Sequence, residues 1–392
     1  MSDLKVRPPK EKARRTASEG RPYTGNGKKV AGVRKGANVG ITKQEALEML
    51  QSDDLVGIGM AAHQLRLKKN DPRVATYQID RNINYTNFCT EYCSFCAFYR
   101  PLGAKDGYIL SFEQIYEKID EMLELGGTGV LLQGGLHPDL QIGYYENLLR
   151  SLRSRYPQVH LHCFSAPEIL CIAEVSELSI RETIERLRDA GLQSIPGGGA
   201  EILDDEIRGK IARLKCTSDE WVEMHRTAHS LGLRTTATMM FGCGEELRHR
   251  VNHLERIRQI QEESGGFTAF IPWIFAPENT PLGKKVQETT AVDYLKTLAV
   301  SRLYLDNIDH IQSSWLTPGI KVCQIGLQFG ADDVGSILIE ENVVFAAGVR
   351  RRTNEEELRR IITDAGFMPA QRDTLYRSYS LKAPRQVEMT AA

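Results

Sequence analysis

Cys89, Cys93 and Cys96 are the residues most able to do chemistry. They stand in FCTEYCSFCAFYR, a C-x3-C-x2-C spacing that puts three thiols within eight residues of one loop. Thiolates are soft ligands, so three on one loop can converge on a single soft metal centre. A structural zinc site takes four protein ligands, and no further Cys or His follows Cys96 for forty residues. A 4Fe–4S cluster held by three cysteines leaves one iron open. An open iron can bind a reactant, which a fully ligated electron carrier cannot. Cys163, Cys171, Cys216, Cys243 and Cys323 are scattered among apolar neighbours, where a thiol packs as a small hydrophobe.

These thiols need a frame to hold them. Residues 74–85 alternate as a strand does, with Ala75, Tyr77 and Ile79 on one face, and lead straight into the cysteine loop. Further strands are expected at 128–133, 159–164, 192–196, 234–241, 267–275 and 308–313. Helical periods lie between them at 111–125, 144–156, 179–190, 218–231, 247–262 and 291–305. Gly126, Gly191, Gly232 and Gly265 fall where helix C-caps belong. An eighth strand around 336–339 and a helix at 354–365 complete the count. Alternating β and α elements make a parallel sheet, and eight units predict a closed (β/α)8 barrel of the TIM type. The expected organisation is a basic tail (1–40), a helical lead-in (41–73) opened by the Thr42/Glu45 capping box, and the barrel core (74–345). A C-terminal helix and extension (346–392) then closes the barrel.

Active sites of such barrels sit at the C-terminal ends of the strands. Here those ends read GGLHP (134–138), FSAPE (164–168), PGGGAE (196–201), FGCGEE (241–246) and QSSW (312–315), all small or polar. Glu201 is a candidate partner for a cofactor, or else a carboxylate at a helix start. Ser165 and Glu168 are candidates for polar contacts with a ligand. His137 either meets a substrate carboxylate or is satisfied within its loop. Ser313 and Ser314 are expected to face the same cavity. Arg81 and Arg100, flanking the cysteine loop, are the nearest cations for an acidic substrate.

Composition narrows the class. The chain has 392 residues, 50 basic against 51 acidic, 41% hydrophobic and 26% charged. That excludes a disordered chain for the bulk of the sequence and argues against nucleic acid as the main partner. No apolar run reaches membrane-spanning length, and the first twenty residues lack the apolar core of a secretory signal. The expectation is a cytoplasmic enzyme with reduced cysteines, no membrane and no nucleic-acid partner.

The cysteine spacing resembles that of the radical S-adenosylmethionine (SAM) enzymes. The resemblance implies a 4Fe–4S cluster on Cys89, Cys93 and Cys96, with SAM on the open iron. It further implies a 5′-deoxyadenosyl radical that takes hydrogen from the substrate, and an electron donor such as flavodoxin or ferredoxin. By the same resemblance Gly134 and Gly135 receive the methionine amino group through backbone groups. Leu136 stands where the superfamily has a glutamate, so only a backbone role carries over. Phe95 takes the aromatic position beside adenine, with Phe98 and Tyr99 as neighbours able to do the same.

RNINYTNFCTEYCSFCAFYR, LLQGGLHPDL, IPGGGAEIL, TTATMMFG, PWIFAPENTPL and IQSSWLTPG are together similar to a narrower family. It contains aminofutalosine synthases, dehypoxanthine futalosine cyclases and the radical subunits of deazaflavin synthases. The C-terminal third, through QSSW and the EENVV of residues 340–344, is similar to the cyclase branch. That branch implies a small-molecule substrate, dehypoxanthine futalosine, whose ribose loses its 4′ hydrogen and closes onto the aryl ring. Glu168, Glu201, His137 and Tyr99 are the candidate bases for the final proton. A non-catalytic iron–sulfur or zinc scaffold is the reading from another class, and it predicts metal without cofactor cleavage.

Overall fold

The computed structural model describes residues 40–381. The basic tail, apart from Gly40, and residues 382–392 lie outside the described residues. Two helices come first, α1 (Lys43–Gln51) and α2 (Leu55–Lys69). The Thr42/Glu45 capping box opens α1, with both reciprocal bonds made. A pair of short strands follows, β1 (Val74–Gln78) and β2 (Asp80–Ile83).

The β/α alternation then runs through α3 (Phe112–Glu124), β3 (Gly129–Leu132), α4 (Ile142–Arg155) and β4 (His160–Cys163). Next come α5 (Ala166–Val175), α6 (Ile180–Ala190), β5 (Ser194–Ile195), α7 (Asp205–Ile211) and α8 (Ser218–Ser230). The later units are β6 (Arg234–Phe241), α9 (Leu247–Ser264), β7 (Phe267–Ile274), α10 (Ala291–Tyr304), β8 (His310–Ile311), α11 (Ile320–Gly326) and β9 (Asp333–Ser336). The chain ends through α12 (Val343–Ala346), α13 (Glu355–Asp364), β10 (Met368–Arg372) and β11 (Tyr379–Ser380).

Strands β2 to β8 form one parallel sheet in sequential order. The ring is completed by backbone bonds outside that sheet. Asp332 N donates to Ile311 O (3.1 Å) and Ser313 N to Asp333 O (2.8 Å), while Thr76 N donates to Asp332 O (3.0 Å) and Ile337 N to Gln78 O (3.2 Å). Thus β9 joins β8 to β1, and β1 runs on into β2. The expected parallel barrel of the TIM type is the fold observed.

Three differences have local causes. The strand expected over 74–85 divides at Ile79, because its first half pairs with β9 and β10 and its second with β3. The eighth strand, expected around 336–339, sits at Asp333–Ser336, since Leu338 takes a left-handed φ of 47° that no strand can hold. Sequence periodicity also missed α5. Its Ser165–Ala–Pro–Glu168 start is itself a capping box, with Pro in the first turn.

Helices bury one stripe against the sheet. In α6 the buried positions are Thr183, Ile184, Leu187 and Ala190, a 3.6-residue period. The strands are covered on one face by these helices and turn the other to the lumen. Pleating therefore points Asp80 and Asn82 of β2 inward, while Arg81 points outward to Glu121 and Glu340. Among the described residues no helix is long and apolar enough to cross a membrane.

Candidate active site

The cysteine loop leaves the C-terminal end of β2 and is held from three sides. Cys89 N donates to Arg100 O (3.0 Å) and Arg100 N to Asn87 O (2.7 Å), closing the base of the loop. Gly135 N donates to Thr86 O (2.9 Å) and Thr90 N to Leu136 O (3.2 Å), fastening it to the end of β3. Ser94 donates from both N and Oγ to Ile211 O at the end of α7, and its own carbonyl accepts from Leu282 N. An added Cβ on Gly135 would stand 2.1 Å from Phe88 O, so only glycine allows this approach.

All three thiols are free, Cys93 buried and the other two half-buried. Burial pushes the Cys93 thiol up to about 12, and raises Cys89 as well; Lys215 alone among nearby cations works against this at both. Buried thiols of this kind gain most from a cationic centre that deprotonates them on binding. Their spread suits a cluster rather than one ion. Thiolates on a single zinc at about 2.3 Å lie about 3.8 Å apart. Among the described residues the only set of three potential ligands within 4.8 Å is Asp204, Glu206 and His249, so at least one pair of these sulfurs stands wider than that. One buried and two half-buried thiols on a single loop, not gathered tightly enough for one ion, fit a polynuclear iron–sulfur group.

Lys215, Glu201 and Arg208 lie beside this loop. The Lys215 ammonium bonds Glu201 at 3.0 Å and sits 5.5 Å from the Phe95 ring; Arg208 is 3.6 Å from the other Glu201 oxygen. Burial opposes the Lys215 charge, but Glu201 and Cys93 outweigh it and hold the ammonium above its ordinary value. Arg208 also donates to the carbonyls of Gly199, Ala200 and Cys216, which pins the PGGGAE turn. Lys215 and Arg208 were missed in the sequence because both come from the α7–α8 region, away from any strand end.

Other expected residues have different surroundings. Glu168 Oε1 accepts from Tyr85 OH (2.9 Å) and Gly134 N (2.8 Å), and Oε2 from Ser165 N (2.7 Å) and Oγ (2.6 Å). Both oxygens and the Ser165 hydroxyl are thereby engaged in shaping the turn. Burial nonetheless raises the Glu168 carboxyl above its usual range. His137 packs edge-on to Phe88, accepts at Nδ1 from Asp139 N (3.1 Å), and has its basicity lowered by burial. Phe98 meets Tyr108 and Tyr99 meets Tyr92, each edge-to-face.

Ser313 is a correction: it packs away from the lumen against Gly326 and Tyr294, while Ser314 lines the cavity, as alternation along a strand requires. Arg81 and Arg100 are another. Arg81 is spent on Glu121 and Glu340. Arg100 is spent on Asp106 and on the carbonyls of Ala97, Phe98 and Tyr99.

The lumen opens into a cavity of about 340 Å³, within the range of small-molecule sites. Glu201 and Gly197–Gly199 line its mouth, and Gln133 connects it to Gly134 beside the cysteine loop. Asp80, Asn82, Thr236, Thr238, Gln312 and Glu341 line its walls, with Trp273 and Trp315 as flat apolar faces. Among the described residues its one Arg or Lys is Arg372, already paired with Asp333 at 2.6 Å. Asp80 and Asn82 were legible as inward positions of a strand. Glu341 was not, because it lies in an irregular segment that returns over the barrel.

A parallel barrel with three convergent cysteines after its first strand, opening on a polar cavity, has the build of a radical SAM enzyme. The radical SAM superfamily profile matches residues 83–257, and a profile described as the CofH/MqnC C-terminal region matches residues 264–385. A cyclic dehypoxanthine futalosine synthase of Halalkalibacterium halodurans is 47% identical over 86% of this chain and 90% of its own. A 5-amino-6-(D-ribitylamino)uracil–L-tyrosine 4-hydroxyphenyl transferase of Methanothermobacter thermautotrophicus is 43% identical, over 86% and 94%. Methylornithine synthase (PylB) shares the fold, with a TM-score of 0.66, 21% identity, and coverage of 85% and 95%. The chain belongs to the radical SAM family whose members carry the CofH/MqnC C-terminal region. Radical SAM enzymes use a 4Fe–4S cluster and SAM, and the cysteine loop is the place in this chain that fits the cluster.

Proposed function

We propose that this chain converts dehypoxanthine futalosine to cyclic dehypoxanthine futalosine in the menaquinone route. The observation that carries the reading is where the C-terminal segment falls. Gln312, Ser314 and Trp315, with Glu341, Val343 and Val344, belong to the two stretches most similar to the cyclase branch, and all six line the cavity. A relative of that name is 47% identical over 86% of this chain.

When bound to Cys89, Cys93 and Cys96, the cluster with SAM supplies a carbon radical able to take hydrogen from an unactivated C–H bond. Glu201, Phe95 and the backbone of Gly134 and Gly135 hold the cofactor at the mouth, with Glu168 and Ser165 shaping the turn they rest on. The amides of Asn82, Gln133 and Gln312 and the hydroxyls of Thr236 and Ser314 bond the substrate's ribose and carboxylate. Neutral donors suit this task, since several N–H and O–H groups together hold a carboxylate where no unpaired cation is present. Trp273 and Trp315 flank the aryl ring. A flavodoxin- or ferredoxin-type donor supplies the electron.

Anaerobic turnover of the iron-reconstituted protein with reductant, SAM and dehypoxanthine futalosine tests the reading by mass spectrometry. The expected result is 5′-deoxyadenosine with a product two hydrogens lighter than substrate. Cofactor cleavage with the substrate untouched would refute the cyclase reading. Turnover of a tyrosine-plus-ribitylaminouracil pair or an enolpyruvyl ether instead would reassign the branch.

A further inference from the structure

Among the described residues three carboxyl groups face the cavity, and their surroundings differ. Glu201 is bonded by Lys215 at 3.0 Å with Arg208 at 3.6 Å, so two cations already face it. Asp80, the first residue of β2, lies toward the N-terminal end of the lumen. There it accepts from the Ser336 hydroxyl and feels the Arg372–Asp333 pair. Among the described residues Glu341 has neutral partners alone: Oε2 accepts from Asn82 Nδ2 (3.0 Å) and Oε1 from Val344 N (2.9 Å). Arg81 and Lys118, which reach this segment, are both taken by its neighbour Glu340. Glu340 is the charged group that acts on it, and it acts by repulsion.

Position separates Glu341 from Asp80 as clearly as partners do. Its bond to Asn82 puts it one pleat further along β2 toward the cysteine loop. Chemistry in this fold takes place at that end of the strands.

We propose that Glu341 is the proton acceptor that completes ring closure, an inference that rests on the cyclase reading. Once the ribose carbon has bonded to the aryl ring, the attacked ring carbon carries both the new C–C bond and its original hydrogen. Breaking that C–H bond returns its electron pair to the ring, and the proton passes to a Glu341 oxygen. The ring keeps one surplus electron, which leaves to a one-electron acceptor of the oxidised iron–sulfur class. With the hydrogen atom already taken from the ribose, the substrate has then lost two hydrogens overall. Glu341 suits this step because burial raises its carboxyl above the usual range, so the ionised form is a stronger base than an exposed glutamate.

The test is E341Q, assayed for both products with cluster and SAM loaded. Cyclised product per 5′-deoxyadenosine is expected to fall by at least about 100-fold, the usual share of a general base. Cofactor cleavage persists, and substrate affinity, measured by calorimetry on cluster-free protein, stays near wild type. E341D is expected to recover part of the ratio. In the wild-type enzyme the same ratio should fall on the acid side, as the proton acceptor is lost when pH drops through its raised pKa. That profile needs no variant to fold.

A parallel fall of both products in E341Q, or loss of substrate binding, would assign Glu341 to positioning and overturn the proposal. The same split in D80N but not in E341Q would move the role to Asp80. Wild-type protein separates the two levels of failure. If it cyclises and E341Q does so equally well, this inference alone falls; if it never cyclises, the reading beneath it has failed.

Discussion

Gly135→Ala should disable the iron site while leaving the barrel folded. An added Cβ there stands 2.1 Å from Phe88 O, 2.7 Å from Phe88 C and 2.9 Å from Cys89 Cβ, and real Cβ contacts essentially never fall under 3.0 Å. The carbonyl must therefore retreat by at least 3.0 − 2.1 = 0.9 Å. Phe88 and Cys89 are backbone neighbours and the added atom also crowds Cys89 Cβ, so the displacement is directed at the first thiol. The Gly135 N to Thr86 O bond, which fixes β3 to the loop, is lost or stretched with it. A misplacement of about 1 Å at a reacting centre typically costs about 100-fold in rate. Gly143→Ala is the matched control. It sits in the first turn of α4 with nothing within 4 Å of the added atom and no left-handed φ, so it should leave stability unchanged or raise it by less than about 1 kcal/mol. The assay is iron and sulfide per chain after reconstitution, with the low-temperature EPR signal of the reduced protein, beside urea unfolding of both variants. If Gly135→Ala reconstitutes to wild-type iron content with an unchanged signal, the argument that loop position follows from this contact is refuted.

Three further outcomes follow from the charges. Lys215→Met leaves Glu201 buried with only the more distant Arg208, and should cost about 3–5 kcal/mol in urea unfolding; adding Glu201→Gln should recover most of that. Glu168→Ala strips acceptors from Tyr85, Gly134 and Ser165 at once. Its cost should exceed about 3 kcal/mol, with lost 5′-deoxyadenosine formation in whatever remains folded. Burial lifts Asp80 from 3.8 to about 6, so the native state binds that proton more tightly than the unfolded chain does. Stability is therefore lost as pH rises from about 4 through about 6, by at most about 3 kcal/mol and less where cavity water screens the group. Asp80→Asn should match wild type near pH 4 and exceed it at pH 7.5 in urea midpoints.

The barrel was legible because its signals are local. Strand alternation at 74–85, glycine C-caps and capping boxes each arise from a few neighbouring residues, and they agree with one another. The three cysteines were legible for the same reason, since one loop carries them all. Glu168 shows where that method misleads. A polar residue at a strand end looks like a ligand contact, yet Ser165–Ala–Pro–Glu168 is a helix-capping spacing, and the structure spends both side chains on it. Lys215 and Glu341 fail in the opposite sense. Lys215 precedes α8 and Glu341 follows β9, so neither sits at a strand end, and only folding carries them to the cavity mouth and wall.

Charge decides which of these residues matter to a substrate. Arg81 and Arg100 flank the cysteines in sequence, but each is neutralised by a carboxylate one layer outside the lumen. Among the described residues lining the lumen, Glu341 is a carboxyl that no arginine or lysine pairs with. Such a carboxyl is costly to keep buried. It persists in a folded protein most readily where taking up a proton is part of its work, and Glu341 is the place in this cavity that meets that condition.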